Sequence, residues 1–296
     1  MTDLRQRLAQ PDVLVAPGVY DGLTAVIAAG AGFEAVYLSG AAIAYSRYGR
    51  PDLGLVSMTE VADVIRCVQD RVAVPLIVDA DTGYGNALNV QRTMRVFEQA
   101  GASALQLEDQ TFPKRCGHLA DKAVISAAEM AGKIKAAVDA RSSETTLVIA
   151  RTDALASEGL ERAIERAFLY AEAGADILFV EAPKTREQLA ELTGALGSVR
   201  PLLANMVEGG ETPLFDARDL GEIGFRIVIF PGGIVRALAH AARDYYASLH
   251  AHGSNAPFRD RMFDFNGLNQ IVGTPQMLET GKAYEQFVGK SRTHAA

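Results

Sequence analysis

Cysteine is scarce. Cys67 and Cys116 are the only two in 296 residues, and they stand far apart, so no disulfide framework holds this fold. Blocks of lysine or arginine are missing too. The 29 basic residues are outnumbered by 36 acidic ones for a net charge of −7, which argues against a nucleic-acid footprint. No apolar run approaches the roughly 20 residues needed to cross a bilayer. The opening MTDLRQRLAQ also lacks the apolar core of a secretory signal. Zinc-ligand spacing is absent as well. These absences predict a cytoplasmic protein whose partners are small molecules, with no nucleic acid and no membrane. At 49% hydrophobic the chain has enough material for one large α/β domain or two small ones.

What is present is a rhythm of short, β-branched-rich apolar runs: VLVA (13–16), AVYL (35–38), LIVD (76–79), ALQLE (104–108), TLVIAR (146–151), ILFVE (177–181), LLAN (202–205) and IVIF (227–230). Helical periodicity fills the gaps, opened by Ser57-x-x-Glu60, Ser126-x-x-Glu129 and Thr185-x-x-Gln188 in capping-box spacing. Continuous apolar strands alternating with helices imply a parallel sheet covered on both faces. Eight such strands predict a (β/α)8 TIM-type barrel, with a doubly wound open sheet as the alternative. Ala-Gly pairs precede three of the runs, in AGAGFEAVYL, AGASALQLE and AGADILFVE. Their glycines are expected to end helices in left-handed geometry. After Phe230 no further strand is legible. The expected division is a catalytic barrel over 1–245 and a C-terminal helical extension over 246–296 that docks on a neighbouring subunit.

The chemistry concentrates where the apolar runs end, which is where α/β barrels build active sites. Asp79, Asp81 and Glu108 form an oxygen-rich set suited to Mg²⁺ or Mn²⁺, held partly through water; helix capping or pairing with Arg and Lys is the plainer alternative. Cys116 lies between Lys114 and His118 beside Arg115 and Gly117, where neighbouring cations favour a thiolate and a Gly-bearing loop can swing over substrate. Cys67, with no cationic neighbours in a helical pattern, is the structural counterpart. Arg151, Glu181 and Asn205 end three further strands. Arg151 can fork onto a carboxylate or pair with Glu181. Ser39, Gly40 and Asp52 follow the second strand, where a hydroxyl and backbone N–H groups can meet a substrate carboxylate. The remaining histidines, in the tail, lack ligand spacing.

DADTGYGN, LEDQ, KRCGH, ARTDA and NMVEGGETP, in that order, resemble the isocitrate lyase/phosphoenolpyruvate mutase superfamily over about residues 10–245. Within it they are most similar to methylisocitrate lyases, dimethylmalate lyases and carboxyphosphonoenolpyruvate mutases. The resemblance implies Mg²⁺ on Asp79, Asp81 and Glu108, largely through water, and a homotetramer whose last barrel helix is exchanged between subunits. It implies a mobile loop of Lys114, Cys116, Gly117 and His118 with Cys116 as the acid, and Tyr37 beside the metal. Ser39, Gly40, Asp52, Arg151, Glu181 and Asn205 are implied as substrate and metal-shell positions. Pro231 resembles the lyases and the mutase more than the oxaloacetate hydrolases, and Arg236 resembles an arginine presented to a third carboxylate. NMVEGGETP leans towards the mutase and dimethylmalate types, and Tyr45, Arg47 and Arg50 add bulk at the mouth. The implied activity is Mg²⁺-dependent retro-aldol cleavage of a 2-hydroxy di- or tricarboxylate to pyruvate or a related 2-oxo acid. An oxaloacetate decarboxylase or a phosphonomutase comes second, and a non-catalytic ligand-binding barrel third.

Overall fold

The computed structural model describes residues 3–117 and 122–293. Eight parallel strands carry the core: β1 (Leu14–Val19), β2 (Val36–Leu38), β3 (Leu76–Asp79), β4 (Ala104–Glu108), β5 (Leu147–Thr152), β6 (Ile177–Val180), β7 (Leu203–Asn205) and β8 (Ile227–Phe230). They lie in the order β6-β5-β4-β3-β2-β1-β8-β7. A parallel bridge from Leu178 to Leu202, with Leu178 N–H donating to Pro201 at 3.0 Å, brings the two end strands together. The sheet is therefore a TIM-type (β/α)8 barrel, and the open-sheet alternative falls away.

Every residue of β3, β4 and β5 is buried, as expected for strands covered on two faces. The faces separate by parity. Leu14, Ala16, Tyr37, Ile77, Ala104, Ile149, Phe179, Leu203 and Ile229 fill the barrel interior. Leu38, Val78, Leu105, Val148, Leu178 and Val228 meet helix residues such as Ile65, Phe97 and Tyr170 outside it. Leu4 and Leu8, on the short helix Leu4–Leu8, join the interior cluster. Arg226, just ahead of β8, bonds the carbonyls of Leu8 and Pro11, which seats this plug at the strands' N-terminal end.

Local signals mostly hold. Ser57 and Glu60 form a reciprocal capping box, whereas Ser126 and Thr185 cap from one side only, and Gln188 turns its side chain to the Lys184 N–H instead. Gly101 (φ 108°) and Gly174 (φ 105°) adopt the expected left-handed geometry, but in the first repeat it is Gly32 (φ 92°) that does so, while Gly30 stays helical. β1 also runs past its expected end at Ala16, through Pro17 and Gly18. A Cβ at Gly18 would lie 2.2 Å from the Pro231 carbonyl oxygen. Here glycine permits close strand approach; it does not mark a turn.

Internal contacts divide the chain into Met1–Ala237 and Leu238–Ala296. The division falls inside the helix Gly233–His252, as does position 245. In the second unit Phe258 packs edge-on to Tyr245 and under the Arg261 guanidinium, 4.3 Å from its ring centre. Phe263, Phe265, Met277, Leu278, Tyr284 and Phe287 are exposed. No helix among the described residues is long and apolar enough to cross a membrane.

Candidate active site

Alternation along a strand keeps residues i and i+2 on one face, so the interior phase fixes which side chains reach the barrel mouth. Ile77 leads to Asp79, Ala104 and Gln106 to Glu108, Ile149 to Arg151, Phe179 to Glu181, Leu203 to Asn205 and Ile229 to Pro231. The interior is apolar below and charged above. Tyr37 marks the seam, its hydroxyl donating to Gln106 Oε1 at 2.9 Å.

A cavity of about 60 Å³ opens at this mouth. Tyr37, Ser39, Asp52, Asp79, Lys114, Cys116, Gly117, Arg151, Glu181, Asn205, Pro231 and Arg236 all line it, so most sequence-predicted residues come together. Asp81 and Glu108 lie buried but do not line it, and neither does Gly40, where a Cβ would sit 3.3 Å from Asp79 Oδ2. His118 lies outside the described residues. Tyr45, Arg115, Val207 and Ile229 also line the wall. Arg236 pairs with Glu208, Nη1 to Oε2 at 3.0 Å.

Lys114 and Arg151 offset part of the carboxylate charge inside the wall. Lys114 Nζ lies 2.6 Å from Asp52 and 2.8 Å from Asp81. Burial would depress its pKa, but Asp81, Glu108 and Asp52 hold it well above the usual lysine value. Burial pushes Asp81 up to about 6 against the pull of Lys114. Its Oδ1 makes no well-directed hydrogen bond among the described residues, and the nearby ammonium compensates it. Asp81 also sits at φ 49°, a left-handed backbone unusual for a residue with a side chain. Glu108 is raised well above the carboxylate range, first by burial and despite Arg151. Its Oε2 is 3.2 Å from Arg151 Nη1, and its buried Oε1 has no hydrogen-bond partner among the described residues. Burial, with Asp79 adding to it, keeps the Tyr37 phenol protonated.

The Arg151 fork is engaged within the chain. Nε and Nη2 bond Asp153 Oδ2 and Oδ1 at 2.9 and 3.0 Å, and Nη2 lies 3.4 Å from Glu181. Asp153 went unnoticed in the sequence as a site residue, although it continues the interior phase two residues beyond Arg151. Asn205 Nδ2 donates to Glu181 Oε2 at 3.1 Å. The segment carrying Cys116 leaves β4 and returns through an antiparallel bridge from Gln110 to Val124. Gln110 braces it by bonding both N–H and C=O of Arg115 at 2.9 Å. Gly117 is seated so closely that a Cβ would lie 2.1 Å from Arg151 Nη2.

Residues 4–250 match the model of the family described as phosphoenolpyruvate phosphomutase. The chain belongs to this family. A 2-methylisocitrate lyase of Aeropyrum pernix is 46% identical over 270 residues, 91% of this chain and 86% of that protein. A 2,3-dimethylmalate lyase of Eubacterium barkeri is 40% identical over 281 residues, 95% of this chain and 96% of that one. A crystal structure of 2,3-dimethylmalate lyase superposes with a TM-score of 0.89 at 38% identity, covering 94% of this chain and 93% of that chain. The phosphoenolpyruvate phosphomutase homologues are named lyases and mutases, and this chain is an enzyme of the carbon–carbon lyase type.

Members of the phosphoenolpyruvate phosphomutase family generally depend on a divalent metal. Among the described residues no three His, Cys, Asp or Glu side chains converge as a ready metal cage. Asp79, Asp81 and Glu108 are instead neighbours at the ends of β3 and β4, and Asp79 Oδ1 accepts the Asp81 N–H at 3.1 Å. The donor set still fits a hard, hydrated cation: all three offer carboxylate oxygen, and Glu108 buries an oxygen that no described residue hydrogen-bonds. A cation would also relieve the burial cost that raises Asp81 and Glu108.

Proposed function

We propose that the chain is a Mg²⁺-dependent lyase that cleaves the C2–C3 bond of a 2-hydroxy di- or tricarboxylate of the 2-alkylmalate or methylisocitrate type. The observation that carries this reading is Cys116 on a loop seated over a ring of carboxylates at the barrel mouth. Asp79, Asp81 and Glu108 would hold the metal, largely through water. When bound, Mg²⁺ supplies a Lewis acid for the substrate's carboxylate and hydroxyl oxygens.

The chain's own residues do the rest. The N–H groups of Gly40 and Ala41 open the helix Gly40–Tyr48 without intrahelical partners, and they suit a substrate carboxylate. Ser39 caps that helix by accepting the Ala42 N–H, which orients the turn. Arg151 holds Glu108, Asp153 and Glu181 in place, and Asn205 steadies Glu181. The hydroxyl gives its proton to solvent, its C–O bond becomes the carbonyl of the 2-oxo acid, and the C2–C3 electron pair stays on C3. Cys116 donates its thiol proton to that carbon and regains one from solvent, so the proton count balances. Lys114, charged and buried, offsets the negative charge gathered at the mouth.

An engineered apolar cavity near 150 Å³ holds benzene; about 60 Å³ is too small for a substituted malate. Substrate entry in this reading requires the 110–117 segment to shift. The cytoplasm is the proposed location, and the exposed aromatic and aliphatic side chains of Leu238–Ala296 support a homotetramer in which that unit is covered. The test is a panel of single 2-hydroxy acids, including 2,3-dimethylmalate and 2-methylisocitrate, assayed for 2-oxo-acid release with and without Mg²⁺. Metal-dependent release from one class is expected; none from any, or equal release after chelation, overturns the reading.

A further inference from the structure

Lys122 has no part in the chemistry above, yet its ammonium is buried between two fixed points. Its side chain is 5% exposed, and Nζ lies 2.9 Å from Asp153 Oδ1, itself fully buried. The same nitrogen donates to the Gly117 carbonyl. Asp153 is in turn gripped by both arms of Arg151 and accepts no movement cheaply, because its own backbone N–H donates to Asp109 Oδ1 at 2.9 Å. Asp109 is itself buried and further bonded by Thr152 and Tyr170. Lys122 thus links a rigid strand end to the residue next to Cys116.

A buried ammonium is costly unless compensated by charge and hydrogen bonds. Asp153 supplies the charge, and the Gly117 carbonyl supplies a partner only while Cys116–Gly117 is seated. Withdrawing that segment would leave Lys122 with one buried partner fewer. We infer that Lys122 is a positioning residue: it fixes Cys116 over the barrel mouth by tying the Gly117 carbonyl to Asp153. A plain structural ion pair would brace the return arm at Val124 without governing Cys116, and the two roles separate in experiment.

The chain carries its own reference thiol, because Cys67 is exposed on the helix Met58–Gln69 while Cys116 is half-buried. The full-length protein and its Lys122→Met and Lys122→Arg variants are treated with iodoacetamide, and the ratio of labelling at Cys116 to Cys67 is read by mass spectrometry. Lys122→Met should raise that ratio by ~10-fold or more, since exposure governs thiol access. Lys122→Arg, which can still reach both oxygens, should stay nearer the wild type. Where the lyase reading holds, Lys122→Met should also lower kcat by ~10- to 100-fold with KM changed less than about threefold, the mark of a misplaced group. The labelling arm needs no substrate, so it stands even if that reading fails. An unchanged labelling ratio in folded Lys122→Met protein overturns the inference; a raised ratio with wild-type kcat upholds it and overturns Cys116 as the acid of the lyase reading.

Discussion

Lys114 holds its ammonium nitrogen 2.8 Å from Asp81 Oδ1, a carboxylate that the proposed metal site also needs. Asp81 titrates near 6, raised by burial above its ordinary 3.8. The folded, metal-free protein therefore binds this proton more tightly than the unfolded chain, and the Asp81 contribution to stability falls as pH rises from about 4 to about 6. Metal binding runs the other way, because the ligand must be ionised. Mg²⁺ affinity should climb through about pH 6 by roughly tenfold per pH unit for each proton displaced. The raised pKa of Glu108 extends the climb upward. Calorimetry at pH 5 to 8, in buffers of different ionisation heat, measures both affinity and proton release; an affinity independent of pH contradicts the site.

Cys116→Ser should fold as the wild type does, because the side chain is half-buried in a pocket wall and is not part of either apolar core. It should lose at least ~10²-fold in kcat, the usual worth of a positioned acid. Steady-state rates on the best substrate, with a thermal melt as control, decide it. Wild-type kcat would return Cys116 to an ordinary wall residue.

Gly117 offers a steric test of the same loop. A Cβ there would lie 2.1 Å from Arg151 Nη2 and 2.8 Å from Glu181 Cγ, and Arg151 cannot yield without leaving Asp153. Gly117→Ala should therefore unseat the loop without disturbing the barrel: ~10²-fold lower kcat and a melting temperature within about 2 °C of wild type. Full activity would mean that the seated arrangement is not the one in which chemistry occurs.

The eight strands were legible because parallel, doubly covered strands read as unbroken apolar runs, and each polar residue ending such a run marked the mouth. Asp79, Arg151 and Glu181 were found that way. Asp153 and Lys122 were not, since one lies past the end of β5 and the other beyond a loop excursion whose return depends on the Gln110–Val124 bridge. The Arg151 fork was expected on a substrate carboxylate or on Glu181, which it does approach; only the interior phase running on past Thr152 delivers Asp153 to it. The apolar run at 13–16 stopped short of Pro17 and Gly18, because their place in β1 serves a close approach to Pro231, over 200 positions away.

Arg236 carries the last expectation, on selectivity. The resemblance implied a third substrate carboxylate for it, and in the fold its partner is Glu208 at 3.0 Å, with both side chains about two-fifths exposed. An exposed pair of this kind is worth only ~0–1 kcal/mol, so an arriving carboxylate can displace Glu208 at little cost. A buried pair would have forbidden that. Arg236→Ala should then cost about 1.5–3 kcal/mol in transition-state binding of a tricarboxylate, roughly 10- to 150-fold in kcat/KM. A dicarboxylate such as 2,3-dimethylmalate, with no third charge to place, should lose less than about threefold. Measuring kcat/KM for both substrate classes in wild type and Arg236→Ala separates the cases. Equal losses would make Arg236 a general wall residue, and no loss for either would leave it a surface partner of Glu208.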